Sequence, residues 1–404
     1  MTHVVVVGAG QAGASLVAKL RAEGFSGAIT LIGAEKVPPY QRPPLSKGYL
    51  LGDLAQERLY LRPLEFYADQ DITLHLDTRV VAIDRAAKTV TLTGEKVLAY
   101  DVLVLTTGAH PRTLPAAIGG MLDGVYAMRD LADADAIAPE MVAGRQVLIV
   151  GGGYIGLEAA AVAAKRGLRV TLVEMADRIL QRVAAPQTSD YFRTLHRSHG
   201  VTIREGVGLD RLLGDTRVTG ARLTDGTELA ADFAIVGVGI TPATILADSA
   251  GLLVGNGITT DIQGRTSDPH IWAAGDCASC IFHDTPIRLE SVGNAIDQAE
   301  AVALNIMGRD LPYQPKPWFW SDQYDCKLQI AGLNIGYTDV YTRMGDTPGV
   351  QSHWYYRGAD LLAVDAMNDP RNYMIGKRLI EAGRSPAPAL ITNPATDMKA
   401  LLAA

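Results

Sequence analysis

Cysteine is scarce in this chain: three in 404 residues, at positions 277, 280 and 326. That excludes a disulfide-stapled scaffold. Cys277 and Cys280 form a C-x-x-C in "GDCASC", which reads as a redox dithiol, as half of a metal site or as packing residues. Zinc would need two further ligands, only Cys326 is left, and the eight histidines show no ligand spacing, so no metal is expected. No apolar run approaches the ~18 residues of a spanning helix, so no membrane segment is expected. Basic residues are outnumbered, 37 against 44 acidic, for a net charge of −7, which argues against a nucleic-acid binder. The chain opens on "MTHVVVVGAGQAG", a strand and turn where a cleavable leader would carry charge and a longer apolar stretch, so a cytoplasmic protein is the expectation. What remains is an ordinary globular balance, 48% hydrophobic and 20% charged, at a length that suggests two or three domains.

Glycine is plentiful, and two groups of it are ordered. "HVVVVGAGQAGASLVAKLRAEGFSGAITLIGAE" runs from a β-branched strand through Gly8, Gly10 and Gly13 into a helical pattern, and then into a second strand ending near Glu35. "RQVLIVGGGYIGLEAAAVAAKRGLRVTLVE" repeats the whole unit with Gly151, Gly153 and Gly156 in the turn and Glu174 closing the second strand. In such a turn the first glycine permits the tight bend, the second lets backbone approach a pyrophosphate, and the third packs helix on strand. The helix N-terminus then faces the phosphates. Glu35 and Glu174 follow the third glycines at close to the ~20 residues expected of an acid that binds ribose hydroxyls. One G-x-G-x-x-G is weak evidence; two complete βαβ units predict two dinucleotide sites.

The stretches "YDVLVLTTGAHPR" (100–112) and "ADFAIVGVGITPA" (231–243) share one pattern, an aspartate, an apolar strand, a glycine turn and a proline, and they flank the second unit. This punctuation predicts an insertion, with a first domain over 1–110 and 235–317 and a second over 111–234. From Trp318 onward the pattern changes. "VQSHWYYRGADLLAVDAMN" predicts two strands about the turn "RGAD". Asp369 and Pro370 suit the N-cap and first position of a helix that stops at Gly383. The expected fold is therefore α/β, two Rossmann-like dinucleotide-binding domains plus a C-terminal α+β domain over 318–404, with the last dozen residues loosely tethered.

"QRPPLSKGYL" (41–50) raises a separate question. Pro43 and Pro44 stiffen the approach to Lys47. One reading is a surface loop in which Ser46 caps a short helix; the other is a cation presented to a site. Glu158 is read as lying in the first turn of the second unit's helix, where a carboxylate either complements the helix dipole or partners such a cation.

The stretches "GAGQAG", "RPPLSKGYL", "LYLRP", "LTTGAHPR", "VGGGYIGLE", "TSDPHIWAAGDCA", "ESVGNAIDQA" and "WFWSDQY", in this order, cover nearly the whole chain. Together they resemble the FAD- and NADH-dependent ferredoxin reductases that feed bacterial cytochrome monooxygenases and ring-hydroxylating dioxygenases. The resemblance implies a flavoprotein oxidoreductase that takes hydride from NADH onto FAD and passes single electrons to a [2Fe-2S] ferredoxin. It assigns FAD contacts to Gly8, Gly10, Ala12, Gly13, Arg42, Lys47, Val80, Arg129, Asp276 and Val292. Relatives often carry an acid at the position of Ala34, so here Glu35 takes the adenosine ribose. NADH falls to Gly151, Gly153, Tyr154, Ile155, Gly156 and Glu174. Lys47 and Glu158 are assigned to the chemistry, with the ammonium near flavin N5 and Glu158 offsetting its charge.

Trp320 is placed by the same resemblance on the ferredoxin-facing side, although aromatics at the spacing of Trp318, Phe319 and Trp320 also suit an interdomain core. Because ferredoxins of such systems are acidic, Arg62, Arg309 and Lys327 are candidate docking cations. Glu174 predicts NADH over NADPH, since a 2′-phosphate would meet its carboxylate, and Arg178 is expected to stack on adenine or pair with Asp177. Three rivals are a disulfide reductase, an NADH oxidase and an NADH-sensing binding protein. The first two want a redox cysteine between the first glycine turn and residue 110, where there is none. The third wants a basic surface or a targeting segment.

Overall fold

The computed structural model describes residues 2–282 and 285–403, which form two compact units. One comprises residues 1–41, 56–110 and 240–317, the other residues 42–55, 111–239 and 318–404. In the first, strand His3–Val7, four valines after a histidine, is central to a five-stranded parallel sheet of order Ile271–Ala273, Val102–Leu105, His3–Val7, Ala28–Ile32, Ile72–His75. A strand sends alternate side chains to opposite faces, so a strand covered on both sides must be apolar throughout. Val4 and Val6 accordingly meet Leu16, Val17 and Leu20 of helix Gln11–Ala22 together with Ala295, Ala299, Val302 and Ala303 of helix Val292–Ile306. Val5 and Val7 join the opposite cluster with Leu103, Leu105, Val90 and Ile258.

The second unit holds another five-stranded parallel sheet, ordered Thr202–Glu205, Arg169–Glu174, Gln146–Val150, Phe233–Val236, Val125–Ala127. Phe233–Val236 pairs with Gln146–Val150, so this strand completes the second sheet, and the chain re-enters the first unit at Ile240. Helix Tyr154–Lys165 buries Leu157 and an unbroken run of alanine and valine, Ala159 to Ala163. Side chains this small let the helix lie close on the sheet.

The same unit contains an antiparallel sheet of order Trp318–Gln323, Cys326–Gly332, Asp360–Met367, Gln351–Arg357, Asp339–Met344. The expected hairpin is strands Gln351–Arg357 and Asp360–Met367. The expected helix is Pro370–Glu381, with the Asp369 carboxylate accepting from the Asn372 amide. Gly383 stands just beyond it at φ +64°. The chain end departs from expectation. Ile391 and Met398 are buried with Trp354, Val364 and Leu379. The Arg343 guanidinium donates to the carbonyls of Ile391, Asn393, Pro394 and Thr396, which satisfies a stretch of irregular backbone that apolar patterning could not foretell.

Candidate functional site

Both glycine turns sit at the C-terminal ends of central parallel strands, and their steric logic is the same. Gly8 has φ +116°, and a Cβ there would fall 2.1 Å from the Thr106 carbonyl oxygen; Gly151 has φ +106°, with the Gly237 oxygen 2.4 Å from its Cβ position. A Cβ on Gly13 would lie 2.1 Å from the Gly8 oxygen, and one on Gly156 lies 2.1 Å from the Gly151 oxygen. These four glycines answer to packing within the turn. Gly10 and Gly153 differ, because a Cβ at either meets nothing within 4 Å. Each is also the N-cap of its helix, with no side-chain cap and no acid in the first turn. Two uncapped helix N-termini, each fronted by a glycine facing open space, fit two pyrophosphates by charge, donors and room.

Around the first turn, Ala12 is buried in the opening helical turn, and the Gly275–Asp276 bend comes up beside it, a Cβ at Gly275 lying 3.0 Å from the Ala12 Cβ. The bend is fixed by Gln298, whose Oε1 accepts from the Gly275 amide at 2.9 Å. Gln298 Nε2 is buried without a partner among the described residues. Sequence reasoning missed Gln298; a glutamine amid alanines on a buried helix face was the available signal. Glu35 lies beyond strand Ala28–Ile32 and accepts from the Tyr40 hydroxyl at 2.6 Å. Val80 opens strand Val80–Asp84, and Val292 opens helix Val292–Ile306, where Ser291 caps Asn294.

Around the second turn, Glu174 closes its strand with both carboxylate oxygens engaged, Oε2 by the Gly152 amide at 2.7 Å and Oε1 by the Ala176 amide at 2.8 Å. The acid is thus fixed across the mouth of the turn. Arg178 donates to the buried Ser189 hydroxyl at 2.6 Å and to the exposed Gln181 carbonyl at 3.5 Å, so it is engaged there rather than with Asp177. Tyr154 begins the helix with its ring 4.8 Å from Phe319, while burial and the Asp365 carboxylate push its phenol well up. Ile155 is exposed.

Lys47 and Glu158 come together in the second unit, with Nζ to Oε2 at 2.7 Å. The turn Leu45–Tyr49 breaks helical geometry at Lys47, φ −136° and ψ −115°, behind the two prolines. Ser46 is not a cap. It is buried, and its hydroxyl donates to Glu158 Oε2 at 2.7 Å, while the Ser321 hydroxyl donates to Oε1 at 2.7 Å. Glu158 is the fifth residue of helix Tyr154–Lys165, beyond its first turn, so the dipole reading is displaced. Its side chain is 3% exposed. A buried carboxylate needs a countercharge and donors for its remaining lone pairs, and it has both. An ammonium carries three donors, of which Glu158 takes one at 2.7 Å and the Pro43 carbonyl another at 3.2 Å. Close by in sequence, Arg42 donates to the Arg129 carbonyl at 3.0 Å.

Of the three readings of the C-x-x-C, packing residues is the one the structure favours. Cys277 and Cys280 are buried thiols, burial pushes both up, and Cys277 donates to the Leu105 and Ala274 carbonyls. Among the described residues no cluster of potential metal ligands occurs. Of the candidate docking residues, Arg62 lies over the Phe66 ring at 5.6 Å and lines a groove of about 550 Å³ with Lys19, Gln70 and Glu300. Arg309, 60% exposed, stands 3.8 Å from Glu23. In the other unit Lys327 is exposed, and Trp320 stacks on Trp318 at 5.5 Å.

Residues 2–299 match the family described as pyridine nucleotide-disulphide oxidoreductase, and residues 318–402 match the reductase C-terminal domain. The chain is 44% identical to a ferredoxin–NAD(P)+ reductase of Sphingomonas sp, over 98% of this chain and 97% of that protein. It is 40% identical to rhodocoxin reductase of Rhodococcus erythropolis, over 99% and 94%. Among solved structures, the reductase in a covalent putidaredoxin reductase–putidaredoxin complex superimposes with a TM-score of 0.96 at 41% identity, over 100% of this chain and 98% of that one.

Proposed function

We propose a function from one premise: this chain belongs to the pyridine nucleotide-disulphide oxidoreductase family and carries that family fold together with a reductase C-terminal domain. It is an NADH-dependent ferredoxin reductase, a flavoprotein with FAD on the first glycine turn and NADH on the second. The observation that carries this reading is the doubled turn, two uncapped helix N-termini each fronted by a glycine that faces open space. The full-length likeness to reductases of ferredoxins supplies the acceptor, a [2Fe-2S] ferredoxin serving a monooxygenase or dioxygenase. FAD supplies the conversion between the two-electron donor and the one-electron acceptor.

The protein's part is binding, orientation and charge. The first turn and Asp276 hold one dinucleotide, with Glu35, Val80, Val292, Arg42 and Arg129 as its further contacts. Glu174 selects the unphosphorylated ribose of the second dinucleotide. Lys47 presents an N–H donor to the reacting end of the flavin, and Glu158 keeps that ammonium compensated and aimed. Trp320 lies on the acceptor side, with Arg62, Arg309 and Lys327 steering an acidic ferredoxin. The proposed division is FAD on residues 1–110 and 240–317, NADH on 111–239, and the C-terminal domain from 318, the return falling after strand Phe233–Val236 rather than inside it.

A cytoplasmic setting belongs to the same proposal, supported by three cysteines that stay thiols. No helix of the described residues is long and apolar enough to cross a membrane.

The test is anaerobic mixing of the purified flavoprotein with NADH, followed by addition of a [2Fe-2S] ferredoxin at low and high salt. The reading requires bleaching of the flavin, then reduction of the ferredoxin that weakens as salt rises. A disulfide substrate reduced in place of the ferredoxin would overturn it.

A further inference from the structure

Glu158 is the end point of a hydrogen-bonded line that runs through the second unit. Ser321 and Gln323 are alternate residues of strand Trp318–Gln323, so both face inward, and both are fully buried although polar. Gln323 Nε2 donates to Ser321 Oγ at 3.1 Å, and Ser321 gives its own proton to Glu158 Oε1 at 2.7 Å. Gln323 Oε1 lies 2.8 Å from Nε2 of His196, a buried residue on helix Pro186–Ser198. His196 Nδ1 lies 3.2 Å from the Tyr324 hydroxyl, and the Tyr324 ring stacks on exposed His199 at 3.6 Å.

Only one arrangement of protons satisfies every member. Burial holds the His196 imidazole at about 4, hence neutral at ordinary pH, with a single N–H. Placed on Nε2, that proton goes to the Gln323 carbonyl, Nδ1 accepts from Tyr324, and the Gln323 amide is left to donate to Ser321. Each donor therefore points toward Glu158. With the amide reversed, its oxygen would face Ser321 Oγ, whose single proton is already given to the carboxylate, and two acceptors would meet.

We infer that Gln323 and His196 are positioning residues for the Lys47–Glu158 pair: they orient Ser321 so that its hydroxyl donates to Glu158 and holds the carboxylate against the ammonium. The inference rests on the reading that this pair flanks the reacting end of the flavin. Neither residue is a ligand of either dinucleotide in that reading, so loosening them disturbs the alignment for hydride transfer and leaves NADH affinity alone.

Stopped-flow reduction of the FAD-loaded protein by NADH tests this in Gln323→Leu and His196→Leu. The expected result is a limiting reduction rate lower by roughly fivefold to twentyfold, an unchanged NADH dissociation constant, and recovery of most of the rate in His196→Gln, which keeps a donor toward Gln323. On a Glu158→Gln background the same substitutions add less than about twofold. A wild-type limiting rate, a loss confined to NADH affinity, or a full loss repeated on the Glu158→Gln background overturns the positioning role. If Glu158→Gln alone reduces at the wild-type rate, the assignment of the pair itself fails, a separate outcome. Should the leucine variants fail to hold FAD, Tyr324→Phe, which removes one hydroxyl from the far end of the line, decides: a slower limiting rate supports the role and an unchanged one overturns it.

Discussion

Lys47 Nζ and Glu158 Oε2 lie 2.7 Å apart, one on a non-helical turn behind two prolines and the other a full turn inside a helix, with the carboxylate also accepting from Ser46 and Ser321. The arrangement is built from both ends, a lysine whose approach is stiff and a glutamate whose remaining lone pairs are filled. Breaking such a pair from one side costs about 3–5 kcal/mol, because it strands the other charge.

Lys47→Ala and Glu158→Gln are therefore each expected to retain FAD and to slow its reduction by NADH at least about tenfold, with a coupling of roughly 1–3 kcal/mol in the double variant. Rapid-mixing measurements on the four proteins check this. Independent, additive losses would mean that the two residues do not act as a unit.

The glycine turns separate fold from binding. Gly8→Ala sets a Cβ 2.1 Å from the Thr106 oxygen at φ +116°, so a loss of at least about 3 kcal/mol of stability is expected, along with FAD. Gly10→Ala meets no protein atom within 4 Å, so the folded apoprotein persists while FAD affinity falls. Gly153→Ala repeats that logic for NADH, raising its KM with FAD content unchanged. Denaturation curves and flavin content, read together, check the three.

How much of this was legible in the sequence depends on how local each requirement is. The doubled turn was, because steric demands on Gly8 and Gly151 arise within a few residues of each. The strand and helix of the C-terminal domain were, because Asp369 and Pro370 announce a helix start on their own. Of the two readings of the Lys47 stretch, the one with Ser46 as a cap fails, since the partner of Ser46 is 112 positions away. The Gln323–His196 contact spans 127 positions and leaves no local trace beyond two polar residues at alternate positions of an inward-facing strand. The tail is held by burial of Ile391 and Met398 and by arginines distant in sequence, Arg343 about 50 residues upstream among them, contacts that apolar patterning does not register.

Coenzyme choice follows from Glu174. Both its oxygens are oriented by backbone amides, so a 2′-phosphate would face a fixed carboxylate. NADH is expected to be preferred by at least about tenfold in kcat/KM, which is roughly 1.4 kcal/mol. Glu174→Ala should narrow the gap from both sides, weakening NADH and easing NADPH. Steady-state kinetics with both coenzymes measure it, and equal turnover of the two by the unmodified protein would contradict the assignment.

Stability should fall in acid. Burial depresses His196 and His353 to about 4, below the ~6.5 of an unfolded chain, so each contributes stability that is present above about 6.5 and lost as pH falls toward 4. The contribution is about 3 kcal/mol each, to order of magnitude. Asp365 runs the other way: burial raises it to about 6, so its neutral form favours folding at low pH, and that stability is lost as pH rises through 6. The histidines outnumber it, and a net decline from pH 6.5 to 4 is expected. His353→Gln should flatten the decline, as followed by thermal unfolding across that range.

The central claim, that hydride enters from NADH and leaves as single electrons to an iron–sulfur protein, is tested most directly by the anaerobic stoichiometry of a mixture of this flavoprotein, limiting NADH and an excess of [2Fe-2S] ferredoxin. The account predicts catalytic turnover in which two ferredoxin molecules are reduced for every NADH consumed, one electron each. Full bleaching of the flavin by NADH with no reduction of any [2Fe-2S] ferredoxin offered, the electrons passing instead to a disulfide or retained on the protein, would contradict it.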